Sequence, residues 1–353
     1  MAKTVTIFGA GLVVKPMVDY LAKNGFNLVI ASRTLSKAEK LAAPHSNATA
    51  KQFNSDDETA MEELVQASDL VVSLLPATMH VKVAKKCIKF KKNMVTTSYI
   101  SPEMRALNQQ AKDAGIIILN EIGVDPGIDH MSAMKIFHKV EAEGGKIVSF
   151  MSYCGGLPAP EANTNPLGYK FSWAPKGVLK AAGNNAKYMM EGKIVEIEGK
   201  DLFRNYWFVD VEGIGTLEAY PNRNSLGYID LYGLKDVKTM YRGTFRNVSH
   251  CDTWLAFSKL GFFKEDQIYE NLSGTVREFI LTKMLNEDKN ADLEKILAEK
   301  LNLGDNKVIL KKFEWLGFFD DTPIPIEKGG AIDVLTALML EKMSYEPGER
   351  DML

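Results

Sequence analysis

The sequence predicts an α/β protein: a doubly wound parallel sheet on the N-terminal side, followed by a second domain of α+β type. Three observations carry that expectation. Over the first 130 residues short apolar runs alternate with helical stretches, a glycine turn follows the first run at once, and the alternation stops near Lys146. Runs such as Val5-Thr-Ile-Phe8 and Ile116-Ile-Ile-Leu119 are nearly continuous in apolar character, the pattern of strands covered by helices on both faces of a parallel sheet.

In chain order, strands are expected at residues 4–8, 28–31, 49–53 (the weakest), 70–74, 94–97 and 116–120, with helices at 14–23, 37–42, 58–67, 80–88 and 102–114 between them. Six strands with intervening helices make a doubly wound unit. A further strand is expected at 146–153, then the turn-rich loop Cys154-Gly-Gly-Leu-Pro-Ala-Pro160. Strand-like pieces at 193–197, 216–220 and 239–243 mix with amphipathic helices at 248–260, 275–285, 292–301 and 331–343. The charge-rich residues 286–299 read as a solvated helix and loop, and neither an internal repeat nor a low-complexity tract is found.

Composition narrows the function classes. In 353 residues, 43 Lys and Arg stand against 45 Asp and Glu, a net charge of −2. That balance excludes the generally basic surface that tracks a phosphate backbone, so no nucleic-acid partner is expected. Hydrophobic content of 46% with 25% charged residues is that of a globular chain long enough for two cores. No run of about 18 apolar residues occurs, so no membrane span is expected. The N-terminus enters its first strand without the pattern of a signal peptide. Three cysteines (Cys87, Cys154, Cys251) are too few and too scattered for a disulfide or zinc framework. A cytoplasmic protein without a metal is the expectation.

The turn after the first strand reads Gly9-Ala10-Gly11-Leu12-Val13-Val14 and opens a helix. Gly9 permits the sharp turn, and Gly11 lacks the side chain that would block a pyrophosphate at the helix N-terminus. The third small residue of the strict pattern is replaced by Val14. First strand, glycine turn and helix together are Rossmann-like, and a bound dinucleotide is expected. At the end of the second strand, an NAD site would carry an acid for the ribose 2′-OH. Ala31-Ser32-Arg33-Thr34 stands there instead, and an Arg flanked by two hydroxyls suits a 2′-phosphate, so NADP(H) is the expected cofactor. Capping of the helix near Leu35 by Ser32 or Thr34 is the competing role. Ligands of such sheets lie beyond the carboxyl ends of the strands, which brings in the loops at 73–80, with Leu75 and Pro76, and 96–102, with Thr97 and Ser98. His80 is expected to cap or flank its helix.

After the sixth strand comes Asn120-Glu-Ile-Gly-Val-Asp-Pro-Gly-Ile-Asp-His130. Asp125 precedes Pro126, which pushes its backbone toward the extended region and lets its carboxylate face a ligand. Asp129 is expected to cap a helix at 131–140, and His130 to be structural. In the second domain, Cys154 to Glu161 is followed by Asn165-Pro-Leu-Gly-Tyr-Lys-Phe-Ser-Trp173, Tyr220-Pro-Asn-Arg-Asn224 and Arg242-Gly-Thr-Phe-Arg246. Three arginines in turn-rich segments point to an anionic substrate, because a guanidinium holds a carboxylate bidentately.

These strings, with Thr97-Ser-Tyr-Ile-Ser-Pro102, resemble saccharopine dehydrogenases of the L-glutamate-forming type, also called saccharopine reductases, over nearly the whole chain. The resemblance implies reversible conversion of saccharopine, NADP+ and water to L-glutamate, 2-aminoadipate 6-semialdehyde and NADPH, within lysine metabolism. It implies proton-handling roles near Tyr99, Asp125 and Cys154, Asp125 first among them. It also implies saccharopine contacts at Ser98, Tyr99, Asp125, Arg223, Thr244, Phe245 and Arg246, and cofactor contacts at Ser98, Val124, Asp125 and Trp173. Lys170, Arg223 and Arg246 are expected to meet the three substrate carboxylates. Fungal members share the Arg-Thr of Arg33-Thr34 and use NADP. Phe245 stands where the family has Leu. Members of the family run several tens of residues past the position of Leu353, so the chain is expected to be shortened there.

Residues 1–130 are thus expected to bind the dinucleotide, and 131–353 to bind substrate and form a homodimer. Two other readings stand beside this one. A reductase of another amino acid–carbonyl adduct, such as a carboxyspermidine-type substrate, fits several arginines poorly because that substrate is more cationic. A non-catalytic dinucleotide-binding protein has no evident use for Asp125, Tyr99 and the arginine-bearing turns.

Overall fold

Apolar residues in the first strand alternate between two cores: Val5 and Ile7 pack on one side, Phe8 on the other. The computed structural model describes residues 2–304 and 306–353. The chain divides into two units, Met1–Ala142 and Glu143–Leu353.

The first unit runs β1 (Thr4–Phe8), α1 (Lys15–Lys23), β2 (Asn27–Ser32), α2 (Leu35–Ala42), β3 (Ala48–Gln52), α3 (Glu58–Gln66), β4 (Leu70–Ser73), α4 (His80–Phe90), β5 (Asn93–Thr96), α5 (Pro102–Arg105), α6 (Asn108–Asp113), β6 (Ile118–Leu119) and α7 (Ile128–Ala142). The sheet order is β3-β2-β1-β4-β5-β6 and every pair is parallel. Each expected strand is present. The order reverses beside β1, so the loops leaving the carboxyl ends of β1 and β4 run to either side of the switch point, where ligands of such sheets bind. The expected helix at 102–114 is two short helices: the Leu107 N–H turns back to the Met104 carbonyl, and both side chains are buried. The helix expected at 131–140 begins three residues earlier, and Asp129 is not its cap. Its Oδ1 accepts the Gly127 N–H at 2.6 Å, serving the preceding turn.

The second unit runs β7 (Ser149–Cys154), β8 (Leu157–Pro158), α8 (Pro175–Ala181), β9 (Ala186–Met190), β10 (Lys193–Ile197), β11 (Trp207–Val211), β12 (Gly215–Pro221), α9 (Gly227–Leu231), β13 (Thr239–Asn247), α10 (His250–Leu260), α11 (Val276–Phe279), α12 (Leu293–Leu301), α13 (Val308–Leu316), α14 (Ala331–Lys342) and β14 (Asp351–Met352). Its sheet is ordered β10-β9-β13-β12-β11, largely antiparallel, with β7 parallel to β13. Trp254, Phe257, Phe262, Phe313 and Phe318 form the centre of one core, with Leu335, Leu338 and Met339 of α14 packed into it.

Two expectations are adjusted here. The helix at 275–285 starts with a reciprocal Thr275–Glu278 capping box and then widens to a π turn over Ile280–Met284. The charge-rich stretch holds α12, which is not simply solvated: Leu293, Leu297 and Leu301 bury one face while the charged residues keep the other. Among the described residues no helix is long and apolar enough to cross a membrane.

Candidate active site

The turn after β1 is shaped by Gly9. Its φ of +114° lies where glycine is favoured, and a Cβ there would stand 2.9 Å from the Leu74 carbonyl oxygen. The Gly9 N–H donates to the Ala31 carbonyl at 2.8 Å, tying the turn to β2. A Cβ on Gly11 would meet nothing within 4 Å, so the chain leaves that side open to a ligand. Ala10 is half-buried, Leu12 is exposed, and Val14 is buried at the start of α1.

At the end of β2, Ser32 Oγ accepts the Thr34 N–H at 3.3 Å. Thr34 holds the N-cap position of α2, yet no side-chain cap bond forms. Helix capping therefore does not use up these hydroxyls. Arg33 between them is exposed, with no ion pair or hydrogen bond among the described residues. An exposed cation with a hydroxyl on each side fits a 2′-phosphate.

His80 opens α4 but does more than flank it. It is buried, with Nδ1 at 2.9 Å from Ser73 Oγ and Nε2 at 2.8 Å from Ser98 Oγ and 3.2 Å from Thr96 Oγ1. Burial pushes the ring pKa down, which favours the neutral imidazole. The ring thus joins the ends of β4 and β5 and fixes the Ser98 hydroxyl. Leu75 is half-buried, and Pro76 and Thr97 are exposed on the same two loops.

The segment after β6 folds back on itself. The Gly123 N–H donates to the Pro126 carbonyl at 2.8 Å, and a Cβ on Gly127 would stand 2.1 Å from the Gly123 carbonyl oxygen. The Asp125–Pro126 peptide is cis. On this turn Asp125 accepts the Tyr99 phenol proton at 2.7 Å, linking the β5 loop to the β6 loop. Glu121 ties the same loops a second time: Oε1 accepts the Ile100 N–H at 2.9 Å, and Oε2 lies 2.8 Å from His130 Nε2. Val124 is exposed beside Asp125.

In the second unit the register of three neighbouring strands builds another cluster. Thr244 of β13 stands opposite Cys154 of β7 and Tyr220 of β12. Two residues on, and so on the same face, comes Arg246. The residue is 7% exposed, and its guanidinium lies 4.9 Å over the Tyr169 ring, with Nη1 donating to the Phe245 carbonyl at 2.7 Å. Opposite Arg246 in register is Glu218, but its oxygens accept the Ser249 and Cys251 N–H groups at 2.6 and 2.7 Å, at the start of α10. No carboxylate among the described residues pairs with Arg246.

The remaining expected residues stand elsewhere. Phe245 points to the other face of β13 and stacks on Tyr153 at 4.8 Å. Lys170 is buried, and its ammonium is held by both oxygens of Glu349 at 2.7 and 2.6 Å. Arg223 is exposed with a left-handed backbone, φ +53°, and its carbonyl accepts the Lys187 N–H. Trp173 is partly exposed, packed near Gly177.

The family model for the saccharopine dehydrogenase NADP binding domain matches residues 5–119, and that for the saccharopine dehydrogenase C-terminal domain matches 123–353. The chain belongs to the saccharopine dehydrogenase family. Saccharopine dehydrogenase [NADP(+), L-glutamate-forming] of Saccharomyces cerevisiae is 40% identical over 360 residues, covering 100% of this chain and 80% of that one. The enzyme of the same name from Pyricularia oryzae is 38% identical over 357 residues, covering 99% and 79%. Alpha-aminoadipic semialdehyde synthase of Rattus norvegicus is 36% identical, with 99% of this chain matched to 38% of that longer one. The solved apo saccharopine dehydrogenase (L-Glu forming) of Saccharomyces cerevisiae superposes with a TM-score of 0.84 at 38% identity, covering 99% and 80%.

Within this saccharopine dehydrogenase fold, several side chains of the clusters were not singled out in the sequence. Tyr169 lies inside the motif that carries the resemblance, so it was on view without a role. Tyr220 likewise opens the Tyr220-Pro-Asn-Arg-Asn224 segment. His250 gives no signal in a helix that reads as amphipathic. Glu121 sits in the Asn120–His130 string, where its two hydrogen bonds depend on the fold.

Proposed function

We propose that this chain is an NADP(H)-dependent saccharopine dehydrogenase of the L-glutamate-forming type, converting saccharopine and water to L-glutamate and 2-aminoadipate 6-semialdehyde, reversibly. The observation that carries the reading is identity of 38–40% with enzymes of that name across essentially the entire chain. The turn at Gly9 and Gly11 and the donors at Ser32, Arg33 and Thr34 fit the cofactor. NADP+ when bound supplies the hydride acceptor.

The chain's own residues handle protons and charge. The secondary amine must shed its proton before the adjacent carbon loses hydride, and the resulting imine must take up water; a carboxylate serves both needs. Asp125, oriented by the Tyr99 phenol, is that carboxylate in this proposal, and Ser98, fixed by His80, positions the amine. Hydrolysis breaks the carbon–nitrogen double bond, leaving nitrogen on L-glutamate and an aldehyde on the other product. Arg246, with Thr244 and Cys154 beside it, takes a substrate carboxylate, and Arg223 is a further anion contact. Lys170 contributes through its Glu349 pair rather than as an unpaired cation. In this proposal the first unit serves the dinucleotide and supplies the proton-handling groups, and the second unit takes the substrate carboxylates. The proposal extends to a homodimer in the cytoplasm, supported by the family resemblance.

The deciding experiment follows NADPH and NADH oxidation by nicotinamide absorbance with L-glutamate plus 2-aminoadipate semialdehyde. NADPH turnover that needs both substrates is expected. No turnover, with NADPH still bound by fluorescence, overturns the substrate assignment. Cofactor choice has its own test. Arg33→Ala weakens NADPH by about 10–100-fold, the worth of a charge-assisted contact, and leaves NADH within about twofold. Equal losses for both cofactors would remove Arg33 from the 2′-phosphate.

A further inference from the structure

Three side chains packed on one another each carry a buried polar atom without a hydrogen-bond partner among the described residues: Tyr169 Oη, Arg246 Nε and His250 Nδ1. The residues are 0%, 7% and 2% exposed. They are held close by ring contacts. The Arg246 guanidinium covers the Tyr169 ring, Tyr169 and His250 have centroids 6.1 Å apart, and His250 stacks 3.8 Å from Trp254 and parallel to Tyr220 at 6.2 Å. The Asn165 side chain donates to the Tyr169 carbonyl at 2.8 Å, fixing that residue's backbone.

A folded protein seldom leaves buried donors unpaired, since each loses its water without replacement. Three in one place share a chemistry. A phenol and a guanidinium offer protons, and a neutral imidazole offers one more. Burial, with the positive charges of Arg246 and Lys312, pushes the His250 pKa well down, so the ring is neutral. The nearest acid by register, Glu218, is committed to the start of α10. Beyond the Phe245 carbonyl that takes Arg246 Nη1–H, the cluster has no anionic acceptor among the described residues to balance the guanidinium charge.

We propose that Tyr169 and His250 complete, with Arg246, a buried subsite for one carboxylate of the substrate, Tyr169 Oη–H and His250 Nδ1–H donating to it beside the Arg246 Nε–H. This rests on the saccharopine reading above for the identity of the substrate, while the carboxylate chemistry stands on the cluster itself. The carboxylate accepts the three donors and balances the guanidinium charge. The choice of Nδ1–H over Nε2–H is set by the ligand.

Tyr169→Phe removes one oxygen and keeps the ring under Arg246; His250→Phe keeps a ring between Tyr220 and Trp254. For each variant the expected result is a saccharopine KM raised about tenfold with NADP+ KM unchanged, tenfold being about 1.4 kcal/mol. The melting temperature of the ligand-free variant should equal or exceed that of the unsubstituted enzyme, because an unpaired buried group has been removed. In the same experiment L-glutamate is titrated by thermal shift. It should stabilise the unsubstituted chain and lose at least half of that stabilisation in both variants. This arm reads the subsite even if saccharopine is not turned over, so failure of the substrate reading leaves it standing. Unchanged KM and unchanged L-glutamate stabilisation in both variants would overturn the proposal. So would a lower melting temperature with unaltered ligand response, which would mark the hydroxyl and imidazole as structural.

Discussion

Replacing Asp125 with Ala lowers kcat for saccharopine oxidation by about 10²–10⁴-fold, the usual contribution of a positioned acid–base group. The position of this carboxylate is set by backbone geometry rather than by a helix or strand. The Gly123–Pro126 and Gly127–Asp129 hydrogen bonds close the turn on which it stands, and Tyr99 donates to it at 2.7 Å. Tyr99→Phe keeps the carboxylate and loses only its orienting bond, so a smaller loss, about tenfold, is expected. Cys154→Ala separates the third candidate: Cys154 stands on the Arg246 face of the second unit's sheet, and a change below about fivefold is expected there. Steady-state rates decide the assignment. A kcat within twofold of the unsubstituted enzyme in Asp125→Ala would place the base elsewhere.

The parts of this architecture that depend on local pattern were legible in the sequence. Strands buried on both faces show as apolar runs wherever they lie in the chain, and the turn at Gly9 needs a residue free to adopt φ +114°. Asp125 stood out because Pro126 follows it. Pairings that span the chain were not legible. Lys170 reads as a cation available to a carboxylate, yet its partner is Glu349, 179 residues away. His80 reads as a residue beside a helix start, and only the adjacency of β4 and β5 turns it into a link among Ser73, Thr96 and Ser98. Asp129 has the residue type of a cap, but the turn before it needed an acceptor first. The ring cluster around Arg246 draws on Tyr169, Tyr220, His250 and Trp254 from separate segments, each of which alone reads as an ordinary aromatic core position. Separation along the chain, more than weakness of the signal, hid these roles.

Arg246→Met should have effects of opposite sign on stability and activity. Buried charges are ordinarily paired, and an unpaired one costs free energy because the protein replaces only part of its hydration. Arg246 has partial compensation from the Tyr169 ring and from the Phe245 carbonyl, while Glu218 is engaged at α10. Methionine fills much of the same length without charge, so the ligand-free variant should unfold at the same temperature or higher. Binding moves the other way. Truncating one member of a buried, hydrogen-bonded charge pair costs about 2–5 kcal/mol, or roughly a 30- to 4,000-fold rise in saccharopine KM. Arg246→Lys keeps the charge but loses the planar fork, and should fall between the two. Calorimetry of each ligand-free protein, paired with steady-state KM for saccharopine and NADP+, makes the comparison. A destabilised Arg246→Met with unchanged saccharopine KM would mean that the guanidinium is held by the fold for its own packing. Stability kept and affinity lost together require that the missing partner of this buried cation is the substrate.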